Sequence, residues 1–288
     1  MRTLTLVIAA LAAGWLLPSG LRAQLGNADA PVVVGHYHLN VTSLAEHRRF
    51  WIDALGGEAF EFGEDGVDAI RFPGIFLFLN ERAPNGPTRG TTFDHVGFAV
   101  PDVAAVAARA VEMGFARTVG REPGPGQPES PPTAGSYGMF EYLVGPDGVK
   151  VELVTASEPG APPIAHHHVH FVNREFVAMQ QWYIEAFNAT PRDVLTDFYA
   201  GAELPGVGYS LNFFSWLPAE DLVGTAGRAV DHVGFEVRDL EAFCAALEAK
   251  GIRLTEAYRR EGGIGVARLR DPWGTEIELT EGLRAAYR

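Results

Sequence analysis

The chain is short of cysteine, of net positive charge and of long apolar runs, and each shortage removes a class of structure. Cys244 is the single cysteine among 288 residues, so no intrachain disulfide can form and no thiolate metal cluster can be built. It sits at helical intervals from Leu240, Phe243 and Leu247 and reads as a small buried apolar residue. Lys and Arg number 23 against 36 Asp and Glu, a formal net charge of −13. A phosphate-backbone partner needs clustered cations, so nucleic acid is set aside as a ligand. The acidic surplus itself names no substrate. A sustained apolar run occurs once, from Leu4 to Leu17, broken only by Thr5 and small residues. It falls short of the roughly 20 residues that a membrane span requires. With Arg2 ahead of it and Leu21-Arg22-Ala23 behind it, residues 1–23 read as a secretory signal peptide cut after Ala23. The expectation is an exported protein, periplasmic or secreted, with no stable membrane association once the leader is removed. Apolar residues at 47% and charged residues at 20% are ordinary globular composition, and the length allows two domains.

What is present is a repeat. Four segments share a short apolar strand with a leading histidine, a turn, and an amphipathic helix. The strands are His36-Tyr-His-Leu-Asn-Val41, His95-Val-Gly-Phe-Ala-Val100, His168-Val-His-Phe-Val-Asn173 and His232-Val-Gly-Phe-Glu-Val237. Ser43 with Glu46 forms a capping box for the first helix, and Asp102 and Asp239 open the second and fourth. Val103, Val106, Ala107 and Ala110 mark one helix face; Phe176, Met179, Tyr183 and Phe187 mark another. Phe50 to Leu55 matches Trp182 to Phe187 position by position, which pairs His36 with His168 and His38 with His170. Odd and even copies resemble each other, as in a duplicated pair.

Shorter strands follow each helix. Phe140–Val144 and Val149–Val154 flank Gly145-Pro-Asp-Gly148, and Val266–Arg270 and Thr275–Thr280 flank Asp271-Pro-Trp-Gly274; both read as hairpins. Modules are expected over 31–82, 92–156, 166–216 and 229–284. The Pro- and Gly-rich stretch 157–165 reads as the linker between an N-terminal domain (31–156) and a C-terminal domain (166–284). Residues 120–138, rich in proline and glycine, read as a flap over a site or a plain surface loop.

Histidine in a first strand, an Asp-led helix and a closing Asp-Pro-x-Gly-x-x-x-Glu strand together resemble the vicinal oxygen chelate superfamily. That group takes in glyoxalase I, extradiol dioxygenases, epimerases and the bleomycin resistance proteins. The resemblance covers nearly everything after residue 23. It implies an α+β fold of four βαβββ modules paired into two cup-shaped mixed β-sheet domains, the layout of two-domain extradiol dioxygenases. It also implies a divalent metal held by first- and last-strand residues. The C-terminal half would supply His168, His232 and Glu278; the N-terminal half His36, His95 and Glu152. Two histidines and a carboxylate favour Fe(II), with Zn, Mn and Ni also accommodated.

A fourth ligand of the glyoxalase kind is missing: Phe78 falls where Glu152 falls in the second copy, and Ser210 or Asn212 falls there in the third. Strand alternation places His36 with His38, and His166 with His168 and His170, on common faces. His38 and His170 are then candidates for ligand, general base or support of a ligand, or core histidines satisfied by hydrogen bonds. Tyr142, ten residues before Glu152, matches a substrate-binding tyrosine of the extradiol enzymes; its counterpart Arg268 would suit an acidic substrate group. Trp51, Trp182, Phe213, Phe214 and Trp216 are candidates for a pocket wall or for the core. The functional expectation is a metal-dependent enzyme on a small oxygenated organic molecule, extradiol-dioxygenase-like in layout. A glyoxalase-like lyase, isomerase or epimerase and a non-catalytic small-molecule-binding protein are the alternatives. Cups in this superfamily form within and between chains, so a homodimer stays open.

Overall fold

The computed structural model of the protein describes residues 25, 29–63, 66–120, 134–135, 138–192, 196–206, 211–215 and 222–286. Residues 1–23, read above as a signal peptide, most of the 120–138 segment, Ser210 and Trp216 lie outside them. Module 1 holds β1 (Val32–Val41), α1 (Leu44–Arg48) running on as a π-helical turn (Arg49–Ala54), β2 (Glu58–Phe62), β3 (Val67–Phe72) and β4 (Ile75–Glu81). Module 2 holds β5 (Phe93–Val100), α2 (Val103–Glu112), β6 (Ala116–Thr118), β7 (Ala134–Gly135), β8 (Gly138–Val144) and β9 (Lys150–Thr155). Module 3 holds β10 (Ala165–Val172), α3 (Phe176–Phe187), β11 (Thr190–Pro191), β12 (Tyr199–Glu203) and β13 (Leu211–Phe214). Module 4 holds β14 (Val230–Val237), α4 (Leu240–Ala249), β15 (Leu254–Glu261), β16 (Ile264–Arg270) and β17 (Glu276–Glu281), followed by α5 (Leu283–Ala286). The four βαβββ modules of the α+β expectation are all there. Among the described residues no helix is long and apolar enough to cross a membrane.

The helix starts follow their local chemistry. Ser43 Oγ accepts from Glu46 N–H at 3.3 Å, Asp102 from Ala105 N–H at 2.9 Å and Asp239 from Ala242 N–H at 3.1 Å, each satisfying a first-turn donor that the helix leaves open. Val103, Val106, Ala107 and Ala110 are buried, as are Met179, Tyr183 and Phe187, while Phe176 is partly so. Cys244 is buried on α4, where burial and then the charge of Glu248 push its thiol up to about 11.

The pairing of modules departs from the expectation of an N-terminal and a C-terminal cup. An eight-stranded sheet runs β15-β16-β17-β14-β1-β4-β3-β2, so module 1 joins module 4. A nine-stranded sheet runs β11-β12-β13-β10-β5-β9-β8-β6, with β7 on β8, so module 2 joins module 3. The seams are antiparallel pairs of first strands, β1 with β14 and β5 with β10. Within each module the first and last strands run parallel. Sequence similarity links copy 1 with copy 3 and copy 2 with copy 4 but says nothing about which odd copy meets which even one.

Consecutive modules meet through their helices instead. Asp147, at the hairpin turn of module 2 with φ 55°, accepts from Thr42 N–H at 2.7 Å and Thr42 Oγ1 at 2.6 Å. It also lies 3.0 Å from His47 Nε2, and His47 Nδ1 accepts from Trp51 Nε1 at 3.1 Å. At the corresponding turn of module 4 it is buried Asp271, the residue ahead of the proline, that accepts from Tyr183 of α3 at 3.1 Å. Sheets thus tie 1 to 4 and 2 to 3, while turns and helices tie 1 to 2 and 3 to 4. One apolar core drawn from all four modules fills the interior, with Phe187 stacked 4.1 Å from Phe235 and Trp51 6.2 Å from Phe98.

Because each sheet takes one module from each side of the linker, the halves are expected not to fold separately. Residues 29–156 expressed alone should show no cooperative thermal unfolding, and mixing with 157–286 should restore it. Cooperative unfolding of the isolated monomeric fragment would contradict this topology.

Candidate metal centre

Each first strand carries its histidine in mid-strand rather than at its start, which brings the side chain to the seam. In the nine-stranded sheet His95 lies opposite His170, and Gly97 opposite His168. The parallel partner β9 sets Glu152 beside Gly97. In the eight-stranded sheet His232 lies opposite His38, Gly234 opposite His36, and Glu278 beside Gly234. The six residues expected as ligands therefore do converge, but in a different partition. His168 joins His95 and Glu152, and His36 joins His232 and Glu278. The grouping of His36 with His95 and Glu152, and of His168 with His232 and Glu278, is corrected by the strand pairing across the linker.

Glycine at His-Val-Gly-Phe has a steric cause. A Cβ on Gly97 would lie 2.2 Å from His168 Cε1, and one on Gly234 would lie 2.0 Å from His36 Cε1. Each imidazole occupies the space a side chain would need.

The module 2–3 cup is the richer one. His95 Nε2 and His168 Nε2 each lie 2.9 Å from Glu152 Oε2. His170 Nδ1 lies 2.8 Å from His95 Nε2, and all four side chains are buried. His95 Nδ1 is 2.6 Å from Asp94 Oδ2, which also takes Lys150 Nζ at 2.9 Å. With Asp94 accepting the Nδ1 proton, His95 Nε2 presents its lone pair to a carboxylate. Two acceptors facing each other in a buried place require a cation between them, either a proton or a metal. Atoms bound to one metal at 2.0–2.2 Å stand about 3 Å apart, which is the spacing seen. His170 Nε2 has no hydrogen-bond partner among the described residues, and its ring stacks on Phe214 at 4.1 Å. Tyr142 Oη donates to Glu152 Oε1 at 2.8 Å.

In the module 1–4 cup His36 Nε2 lies 3.0 Å and His232 Nε2 3.7 Å from Glu278 Oε2. Asp231 Oδ2 holds His232 Nδ1 at 2.9 Å. His38 packs 4.7 Å from the His232 ring but falls outside the ligand cluster. Arg268, the counterpart of Tyr142, donates from Nε and Nη2 to Glu278 Oε1 at 3.0 and 2.9 Å.

The fourth last-strand position is settled by register. Phe78 stands beside His38, and Asn212 beside His170, so Asn212 rather than Ser210 is the third copy's residue. Tyr199 Oη donates to Asn212 Oδ1 at 2.8 Å. Neither cup offers a second carboxylate there.

One alternation argument fails. A bulge between His166 and His168 turns His166 off the cup face, and its Nε2 lies 2.8 Å from Tyr37 Oη in the apolar core. Sequence alternation has no signal for the extra residue of a bulge. Trp51 and Phe213 are core residues, Trp182 packs against that core, and Phe214 serves the cup. Three further members of the site were not foreseen. Asp94 and Asp231 each precede a candidate ligand histidine and hold its far nitrogen, and the repeated Asp-His pair was their available signal. Lys150 is the third, buried behind Asp94.

The electrostatics match a cation site. Burial opposes ionisation of Glu152, but hydrogen bonds from His168 and His95 outweigh it and hold the carboxyl well below its usual range. Glu278 is lowered in the same way by His232 and His36. Burial lowers His95 and His232, yet their Asp and Glu partners outweigh it and leave both raised. His168 and His170 are lowered, by burial first.

Two modules that each contribute a first-strand histidine, sharing one closing glutamate across an antiparallel seam, define a class of cup-bearing, metal-capable proteins. The profile of the Glyoxalase/Bleomycin resistance protein/Dioxygenase superfamily matches residues 33–153 and again 129–279. The chain belongs to that superfamily. Glyoxalase I from Zea mays superposes with a TM-score of 0.62 at 18% identity, covering 88% of this chain and 94% of that one. A putative dioxygenase from Bacillus subtilis does so with a TM-score of 0.62 at 14% identity, covering 90% and 86%. At such identities the likeness shows the fold. No curated relative matches the chain.

Substituting Gly97 by Ala should displace His168 and weaken metal binding by roughly 10- to 100-fold, with a stability loss of about 1–3 kcal/mol; metal titration and thermal unfolding measure the two. Unchanged metal affinity would show that the glycine is not needed for the imidazole. A pH effect follows from half-buried histidines that stay neutral in the fold. Burial, then the charges of neighbouring groups, lowers His38, His166 and His167 to about 3. The unfolded chain therefore takes protons from about pH 6.5 downward that the folded chain refuses, so stability falls as pH drops from 6.5 towards 3. Metal-free protein should melt lower at pH 5 than at pH 7, and His166→Gln should narrow that gap.

Proposed function

We propose that the chain is a divalent-metal-dependent enzyme whose reaction centre is the cup between modules 2 and 3, acting on a small oxygenated aromatic molecule in the manner of extradiol dioxygenases. The observation that carries this reading is the convergence of His95, His168 and Glu152 on one point, each histidine 2.9 Å from the same carboxylate oxygen. Two histidines and one carboxylate form the facial set that suits Fe(II), with Zn, Mn or Ni also compatible. When bound, such a metal polarises two adjacent oxygens of a substrate and offers open positions for it.

The chain's own residues supply the rest. Asp94 holds the Nδ1 side of His95 and so orients the ring with Nε2 towards Glu152. His170 corresponds in the module repeat to Gly97, not to a ligand, and it borders the ligand nitrogen of His95 at 2.8 Å. That place, with Nε2 unpaired, suits a group that takes a proton from a bound hydroxyl and returns it. Tyr142 holds Glu152 Oε1. Phe140 stands 5.8 Å from Tyr142, and Phe214 and Tyr199 stand 5.0 Å apart beside Asn212; these aromatic faces suit a flat ring. Residues 1–23 as an export signal fit a periplasmic or secreted setting.

The test is metal content of protein purified without oxygen or an affinity tag, followed by catechol turnover. Glu152→Ala and His168→Ala should lose the metal. His170→Ala should keep it and lose turnover by about 100-fold or more. Turnover of ketoaldehyde adducts with Zn or Ni would instead select lyase or isomerase chemistry, and ligand binding that survives chelation without turnover would select a binding protein.

A further inference from the structure

The two cups are built alike until the residue that touches the free oxygen of the closing glutamate. In the module 2–3 cup this is the Tyr142 hydroxyl, a neutral donor 2.8 Å from Glu152 Oε1. In the module 1–4 cup it is the Arg268 guanidinium, with Nε and Nη2 at 3.0 and 2.9 Å from Glu278 Oε1. The two residues occupy the same register position, Tyr142 opposite Glu152 and Arg268 opposite Glu278. We propose that Arg268 takes the electrostatic place of a metal cation in the module 1–4 cup, so that the chain carries one metal centre and not two.

The reasoning is a charge count at one carboxylate. Glu278 offers a single negative charge, and the guanidinium neutralises it through a forked contact. A divalent ion entering between His36, His232 and Glu278 meets a positive charge one carboxylate away, held by a half-exposed guanidinium on a largely buried glutamate. Glu152 keeps its full charge, because the phenol that grips it is neutral. Lys150 and Arg192 also stand near that cup, the first bonded to Asp94 and the second paired with Glu203, whereas the fork of Arg268 sits on the closing glutamate itself. The other differences point the same way. His38 stays outside the ligand cluster, and Phe78 offers no donor beside it, whereas His170 is inside the cluster and has Asn212 beside it.

This inference rests on the proposed metal centre, and the experiment separates the two. Cobalt(II) titration with elemental analysis is expected to give one equivalent per chain, lost in Glu152→Ala and kept in Glu278→Ala. Arg268→Tyr, which copies Tyr142, should raise the stoichiometry to two equivalents, the second bound roughly 100-fold more tightly than wild type binds it. Arg268→Gln keeps a neutral donor and should act similarly, with far-UV circular dichroism confirming the fold of both. Two equivalents in the wild type, metal lost with Glu278→Ala instead, or one equivalent in both folded Arg268 variants would each overturn the role given to Arg268 while leaving a metal centre in place. No metal in any protein after reconstitution would overturn the metal centre and this inference together.

Discussion

The antiparallel pairing of first strands is the contact on which everything else depends. Each seam sets a histidine of one module opposite the glycine two residues beyond the histidine of the other: His168 against Gly97 and His36 against Gly234. The missing side chain makes room for an imidazole, and the parallel last strand brings a glutamate alongside the glycine. Three residues distant in sequence are thereby fixed on strands, which hold a ligand set more tightly than loops do. Without the seam neither a cup nor a ligand cluster exists.

The seams also close the molecule into a ring. Module 1 is joined to 4 and 2 to 3 by sheets, while Asp147 and Asp271 fasten the turns of modules 2 and 4 to the helices of modules 1 and 3. Each module is held on two sides by different physics: ladder hydrogen bonds on one, an aspartate of a hairpin turn and helix packing on the other. This gives both sheets a share in one core, so distortion of one cup is resisted by contacts that also support the other.

The repeat, the helix caps and the hairpins were readable from residue type and spacing, because each depends on neighbours a few positions away, and the six candidate ligands came from the family resemblance that the repeat carries. Which modules pair was not readable, since His36 and His168 have the same local sequence context and either could face His95 or His232. The bulge that removes His166 from the cup was hidden for a related reason: alternation counts residues, and a bulge adds one without changing their type. Asp94, Asp231 and Lys150 were passed over because their roles depend on what lies behind a ligand, not beside it in sequence. The contrast between Tyr142 and Arg268 was visible in sequence as a difference, but its meaning required the glutamate oxygen each one touches.

The proposed metal centre of the module 2–3 cup draws its residues from both sides of the linker. Anomalous diffraction from crystals of the metal-reconstituted protein is its sharpest test. One strong peak is expected within bonding distance of His95 Nε2, His168 Nε2 and a Glu152 oxygen. A peak confined to His36, His232 and Glu278, or none in either cup at full metal loading, would contradict it.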